Sequence, residues 1–305
     1  MGADINASVY RIETQWAISY FVKVSAVYSL NSMVIIDLLR KAGVEQIISP
    51  VSTFEGKPTL QIDDLTMIVY PFIPGQDGFS QYLSENQWQV LGGALKKIHD
   101  IAVPPAIQDS IRRESYSHKW REALRAMLSR KESDFAGDEI AVKLWAFIKE
   151  NMPKVHRLIE RAEQLAKRLQ RDSLPFVLCH SDIHGGNVLI TEQGSLYIVD
   201  WDDPIMAPKE RDLMFIGGGV GNVWNKPHEE NLFYKGYGRA AINRTALSYY
   251  RHERIVEDIT EYCQEILFTT TDVEEKRIMY GHFMGMFAAR GVVEIAFETD
   301  EGYSL

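Results

Sequence analysis

The sequence predicts an α+β protein of two lobes, a small antiparallel sheet followed by a larger, mainly helical body. Three observations predict it. Apolar residues alternate near the start, a proline- and glycine-containing break falls at residues 70–75, and long stretches of helical apolar spacing lie beyond it. Ser8 to Glu13 and Trp16 to Val24 flank a short Glu13-Thr14-Gln15 turn, as in a hairpin. In the second strand Trp16, Ile18, Tyr20, Val22 and Val24 share one face by the period of two, while Ala17, Ser19, Phe21 and Lys23 share the other. Lys23 therefore points away from the more apolar face.

Tyr28 to Ala42 reads as a helix, with Gly43 as its C-terminal stop. Ile47 to Phe54 and Thr66 to Pro71 read as further strands. Tyr70-Pro71-Phe72-Ile73-Pro74-Gly75 then ends the pattern, and a boundary there divides residues 1–73 from 74–305. Ser84-Glu85-Asn86-Gln87 is a capping box opening a helix whose apolar stripe is Trp88, Leu91, Leu95 and Ile98. Amphipathic spacing runs from Asp138 to Gln170, interrupted near Pro153. Short strands return at Phe176 to Cys179, Val188 to Thr191 and Leu196 to Asp200, and from about Arg211 the chain is helical apart from Gly217-Gly218-Gly219.

The composition is that of an ordinary globular protein: 305 residues, 46% hydrophobic and 25% charged, enough for one large or two medium domains. A net charge of −9 argues against a nucleic-acid partner, because phosphate binding leans on clustered Lys and Arg. No apolar run approaches the roughly 20 residues of a membrane span, and no secretory leader pattern opens the chain. Cys179 and Cys263 stand far apart without metal-ligand spacing, so a disulfide framework is not expected and a cytoplasmic location is. The protein is expected to be a monomer.

Chemistry concentrates in His180-Ser181-Asp182-Ile183-His184-Gly185-Gly186-Asn187, followed thirteen residues after Asn187 by Asp200-Trp201-Asp202. One apolar strand delivers a loop with an Asp and an Asn five positions apart, and another delivers a second Asp. Phosphoryl transfer needs this set: a carboxylate to orient or deprotonate the attacking hydroxyl, and two oxygen ligands for magnesium. The loop matches the H-x-D-x-x-x-x-N pattern of kinases, with Ser181 in place of an arginine. Lys23, upstream on a strand, adds a compact positive charge for phosphates. His180 is expected to brace the loop through backbone hydrogen bonds. Zinc held by His180, His184 and Asp182 is the competing reading, weakened by the lack of a third histidine or a cysteine cluster nearby.

These residues resemble the aminoglycoside phosphotransferases, relatives of choline and homoserine kinases with a protein-kinase-like fold. The likeness covers nearly the whole chain. It favours the spectinomycin subfamily through Tyr70-Pro71-Phe72-Ile73, His180 to Leu189, Asp200-Trp201-Asp202, Ala207 to Trp224 and Tyr249 to Asp258. The resemblance implies Asp182 as catalytic base, Asn187 and Asp200 as Mg2+ ligands, and Lys23 on the phosphates of ATP or GTP. It also implies purine pairing by the backbone around Pro71 and Ile73, and Asp212 as a brace of the catalytic loop. Phosphate would pass to a hydroxyl of a small cationic aminocyclitol, conferring antibiotic resistance. Asp202, Asp203, Glu253, Glu257 and Asp258 are candidate carboxylates for its ammonium groups, and Trp224 a candidate wall.

Two departures from the family pattern bear on the expectation. Met1-Gly2-Ala3-Asp4 falls where the family has its phosphate-covering loop, so the small lobe is expected to lack its first strand, exposing apolar surface. The helix after Lys23 offers Asp37 as its only acid, where the family places a glutamate near Leu30. A kinase of a metabolic amino alcohol or amino sugar, and an inactive binding protein, are the alternatives.

Overall fold

The protein is described here from a computed structural model covering residues 7–26, 30–135, 137–269 and 272–301. The chain runs β1 (Ala7–Glu13), β2 (Ser19–Ser25), α1 (Leu30–Lys41), β3 (Leu60–Ile62), β4 (Leu65–Pro71), β5 (Gly75–Asp77), α2 (Glu85–Asp100), α3 (Pro105–Gln108) and β6 (Arg112–Arg113). Next come α4 (Lys119–Leu128), α5 (Glu139–Glu150), α6 (Met152–Leu169), β7 (Val177–Cys179), β8 (Val188–Thr191), β9 (Leu196–Ile198) and β10 (Ile205–Ala207). Last are α7 (Glu210–Leu213), α8 (Pro227–Tyr237), α9 (Arg244–Phe268), α10 (Val273–Met286) and α11 (Val292–Glu301). Two compact units result. The first comprises residues 1–113, 177–206 and 232–239, and the second 114–176, 207–231 and 240–305. The expected α+β class, an antiparallel sheet first and mainly helices after, is what forms.

In the first unit β1-β2-β4-β3 make an antiparallel sheet, with Lys23 paired to Val9 on one side and Ile68 on the other. The hairpin turn is longer than the alternation implies. Thr14 N–H donates to the Ile18 carbonyl at 2.9 Å, so the loop takes in Trp16, 73% exposed, and Ile18. The apolar face therefore starts at Tyr20. Ile47 to Phe54 is not a strand: Ile47 makes one isolated bridge to Ile198 and Val51 N–H one bond to the Val69 carbonyl. Pro50 lacks the N–H a ladder needs. Leu60–Ile62 takes the edge beside β4 instead. The reading of Met1-Gly2-Ala3-Asp4 as a phosphate-covering loop falls outside the described residues.

Helix signals in the sequence are honoured closely. Gly43 adopts φ +78° and ends α1, its N–H bonding the Arg40 carbonyl while Val44 N–H bonds that of Leu39. Ser84 and Gln87 form the reciprocal capping box of α2. The expected interruption near Pro153 separates α5 from α6 at Asn151.

Gly92 of α2 and Gly236 of α8 let two backbones meet. A Cβ on Gly236 would stand 1.9 Å from the Gln89 carbonyl oxygen, and one on Gly92 2.2 Å from that of Phe233. Gly236→Ala is expected to destabilise the protein by about 1–3 kcal/mol through forced backbone separation. Gly93→Ala, whose Cβ would meet nothing nearer than 3.8 Å, should be neutral or slightly stabilising. Urea midpoints check both, and equal midpoints for the two variants would refute the close-packing account.

The second unit is built on α9, which packs against α4, α6, α10 and α11. Leu144, Trp145, Val155, Leu158, Ile259, Cys263 and Phe283 are among its buried core. Cys179 and Cys263 are buried and not joined in a disulfide. Among the described residues no helix is long and apolar enough to cross a membrane.

Candidate active site

The first unit carries the loop between β7 and β8. His180 and Ser181 are buried at its start, and Asp182 follows with its carboxylate partly open to solvent. The His180 ring spans the loop: Nε2–H donates to the Val199 carbonyl at 2.8 Å, and Nδ1 accepts from Asp182 N–H at 3.2 Å. The strand end before Asp200 and the backbone of Asp182 are thus held by one imidazole. Ser181 takes φ +78°, a left-handed conformation that is costly for most residues and milder for small polar ones. Its hydroxyl donates to the Asp203 carbonyl at 3.0 Å, tying the two acidic loops together.

Asn187 Nδ2–H donates to the Asp182 carbonyl at 2.8 Å and lies 3.4 Å from the Asp182 carboxylate. That orientation fixes the amide flip and turns Oδ1, the ligating atom type, to the other side. His184 Nδ1 accepts from Gly186 N–H at 3.0 Å, so its proton sits on Nε2, which is 3.3 Å from the Asp182 carboxylate. The His184 ring stacks on Phe79 with centroids 5.3 Å apart. Gly185 and Gly186 exist for that stack, since a Cβ on either would come within 2.8–2.9 Å of the Phe79 ring. The tight loop therefore seats an aromatic ring, a role the glycines alone did not disclose. Zinc fits poorly, because both ring nitrogens of His180 and one of His184 are already engaged in loop hydrogen bonds.

Asp200, at φ +62°, follows β9. Burial, then the neighbouring Asp202 carboxylate, raises its carboxyl above the ordinary range, while Lys23 and His180 oppose the shift. Crowded carboxylates are hard-oxygen donors of the kind that take a divalent cation. Lys23 Nζ, 11% exposed, reaches 3.9 Å from Asp200 Oδ1 and contacts Asp202 Oδ2 directly. Asp202, expected among the acceptor carboxylates, has its side chain in contact with Lys23.

Pro71 ends β4, and the next N–H, that of Phe72, bonds the Ser19 carbonyl at 3.2 Å. In the second unit Asp212 is fully buried on α7 and Trp224 is buried at φ +57°. Glu253, a candidate acceptor carboxylate, is 5% exposed and paired with Arg121 Nη1 of α4. Asp258 pairs with Arg254 at 2.7 Å. Helical spacing places Glu253 on α9 but does not say which face meets α4, so its burial was not readable from its neighbours. Ser32 and Phe79 were missed as well, since neither carries a motif.

The sequence pattern of the phosphotransferase enzyme family matches residues 4–250. The chain belongs to that family. It is a small-molecule kinase by class. The crystal structure of spectinomycin phosphotransferase APH(9)-Ia in complex with ADP and spectinomycin is 45% identical over 99% of this chain and 92% of that one, with a TM-score of 0.91. The AMP-bound complex of that enzyme is 46% identical over 96% and 91%, with a TM-score of 0.88. An aminoglycoside phosphotransferase from Alicyclobacillus acidocaldarius, 16% identical over 98% and 92%, has a TM-score of 0.65 and shares the fold. No curated protein matches the chain.

Proposed function

We propose that this phosphotransferase moves the γ-phosphate of ATP or GTP to a hydroxyl of an aminocyclitol, spectinomycin or a near analogue, and so confers resistance to it. The observation that carries the reading is 45% identity across nearly the whole chain to an enzyme seen with ADP and spectinomycin. Asp182 accepts the proton of the attacking hydroxyl, held in place by the His180 and Asn187 hydrogen bonds to its backbone. Lys23 neutralises the nucleotide phosphates, and the backbone at Pro71 and Ile73 pairs with the purine. Asn187 Oδ1 and the Asp200 carboxylate would hold Mg2+, which would offset the negative charge of the phosphates.

For the acceptor, Asp203 is the acid of the set with its carboxylate most open, 82% exposed, with the exposed Arg112 guanidinium 4.0 Å away. Glu253 and Asp258 are committed to arginines. The test is nucleotide turnover dependent on spectinomycin, run beside choline, ethanolamine and amino-sugar acceptors and beside Asp182→Ala. Spectinomycin-dependent transfer that the variant and excess EDTA both abolish supports the assignment. Faster transfer to an amino alcohol than to spectinomycin would replace the substrate, and no transfer to any acceptor would refute an active kinase.

A further inference from the structure

A lysine that meets phosphates must be held, because its four-carbon stem is flexible and its ammonium, once half-buried, needs a partner. Helix α1 cannot supply that partner. Asp37 is the single acid in the sequence of α1, its side chain is 62% exposed, and it pairs with Lys41 at 2.7 Å on the helix's own surface. What α1 turns inward instead is Ser32, 1% exposed, whose hydroxyl donates to the backbone carbonyl of Asp202 at 2.9 Å. The Asp202 carboxylate then contacts Lys23 Nζ. Helix, acid and lysine are still linked, but the acid has moved from the helix to the segment after β9.

We propose that Asp202 is the positioning residue for Lys23, anchored to α1 through Ser32. The proposal rests on the reading of Lys23 as a phosphate contact. It has a consequence for the segment Asp200-Trp201-Asp202: one short stretch of backbone sets both the oxygen ligand at Asp200 and the lysine position. The Trp201 indole N–H, donating to the Ile198 carbonyl at 3.1 Å, fixes the residue between them. It also takes Asp202 out of the set that recognises an acceptor cation.

The experiment measures the Kd of the full chain for ATP with Mg2+ by calorimetry, and separately the KM for nucleotide and for spectinomycin. Asp202→Ala, Asp202→Asn, Lys23→Ala and the double variant Lys23→Ala/Asp202→Ala are compared, with thermal melts confirming that each is folded. Asp202→Ala should weaken ATP binding by about tenfold, the scale of one charge-assisted hydrogen bond, and Asp202→Asn by less. The KM for spectinomycin should stay within about twofold, because no acceptor contact is lost. The double variant should bind ATP no more weakly than Lys23→Ala alone, since the carboxylate acts only through the lysine.

A raised spectinomycin KM with unchanged ATP affinity would overturn the proposal and return Asp202 to the acceptor site. Additive losses in the double variant would overturn it too. Should Lys23→Ala itself leave ATP affinity unchanged, the phosphate reading of Lys23 fails, and the proposal falls with it whatever Asp202 does.

Discussion

Asp182→Asn is expected to lower kcat by about 10²–10⁴-fold while leaving the Kd for ATP nearly unchanged. The substitution keeps shape and removes proton affinity. The backbone of residue 182 is held from both sides, by His180 Nδ1 on its N–H and Asn187 Nδ2–H on its carbonyl, so an amide at this position stays where the carboxylate was. His184 Nε2, 3.3 Å from the carboxylate, donates to whichever oxygen remains there. Stopped-flow turnover with saturating acceptor and calorimetric ATP binding decide the matter. A kcat within fivefold of the parent would mean that another group takes the proton. A parallel collapse of ATP affinity would mean that the variant had disturbed the metal and phosphate positions instead.

Glu253→Ala should cost about 3–5 kcal/mol of stability, the scale for stranding one member of a buried ion pair. Arg121 is 2% exposed, cannot discard its proton, and would lose its carboxylate partner while Nη2 keeps its bond to the Tyr116 carbonyl at 3.2 Å. Arg121→Ala should cost less, because the stranded Glu253 can take up a proton. Burial already pushes the Glu253 carboxyl up to about 7, with Arg121 offsetting only part of that.

The pH dependence follows from the same shift. Between the ordinary value of 4.5 and about 7 the native state holds a proton that the unfolded state has lost. This group's contribution is therefore fullest below pH 4.5 and declines as pH rises through 7. Chemical denaturation of the parent, both single variants and Arg121→Met/Glu253→Leu checks the order and the slope. The apolar pair should recover most of the loss and flatten the slope. If Glu253→Ala instead left stability alone and raised the spectinomycin KM, the residue would be an acceptor contact after all.

The sequence was most legible where chemistry or chain geometry demands particular residues at fixed spacing. Gly43 at a left-handed stop, Ser84 with Gln87 at a helix start, and the Asp182–Asn187 loop all act within a few positions, so their neighbours disclose them. Trp16 and Ile18 continue the period of two past the real end of the strand, because alternation does not mark where a ladder stops. Ile47 to Phe54 has the apolar content of a strand but also Pro50, and the edge beside β4 went to Leu60–Ile62. Pairings across long separations were the illegible part. Lys23 with Asp202 spans 179 positions and Arg121 with Glu253 spans 132, and only the assembled fold decides them.

The helix-to-helix seat at Gly92 and Gly236 carries an implication for synthesis. Residues 232–239 belong to the same unit as Lys23, Asp182 and Asp200, and they arrive after an excursion of the chain through 207–231. A polypeptide emerging from the ribosome thus displays the bare groove of α2 while most of the protein is already made. Its nascent form should depend on holding chaperones late rather than early, because closure of so distant a pairing cannot precede its last strand of sequence. Protease digestion of ribosome-stalled chains should find residues 85–100 open to cleavage until residue 239 has left the exit tunnel, and shielded soon afterwards.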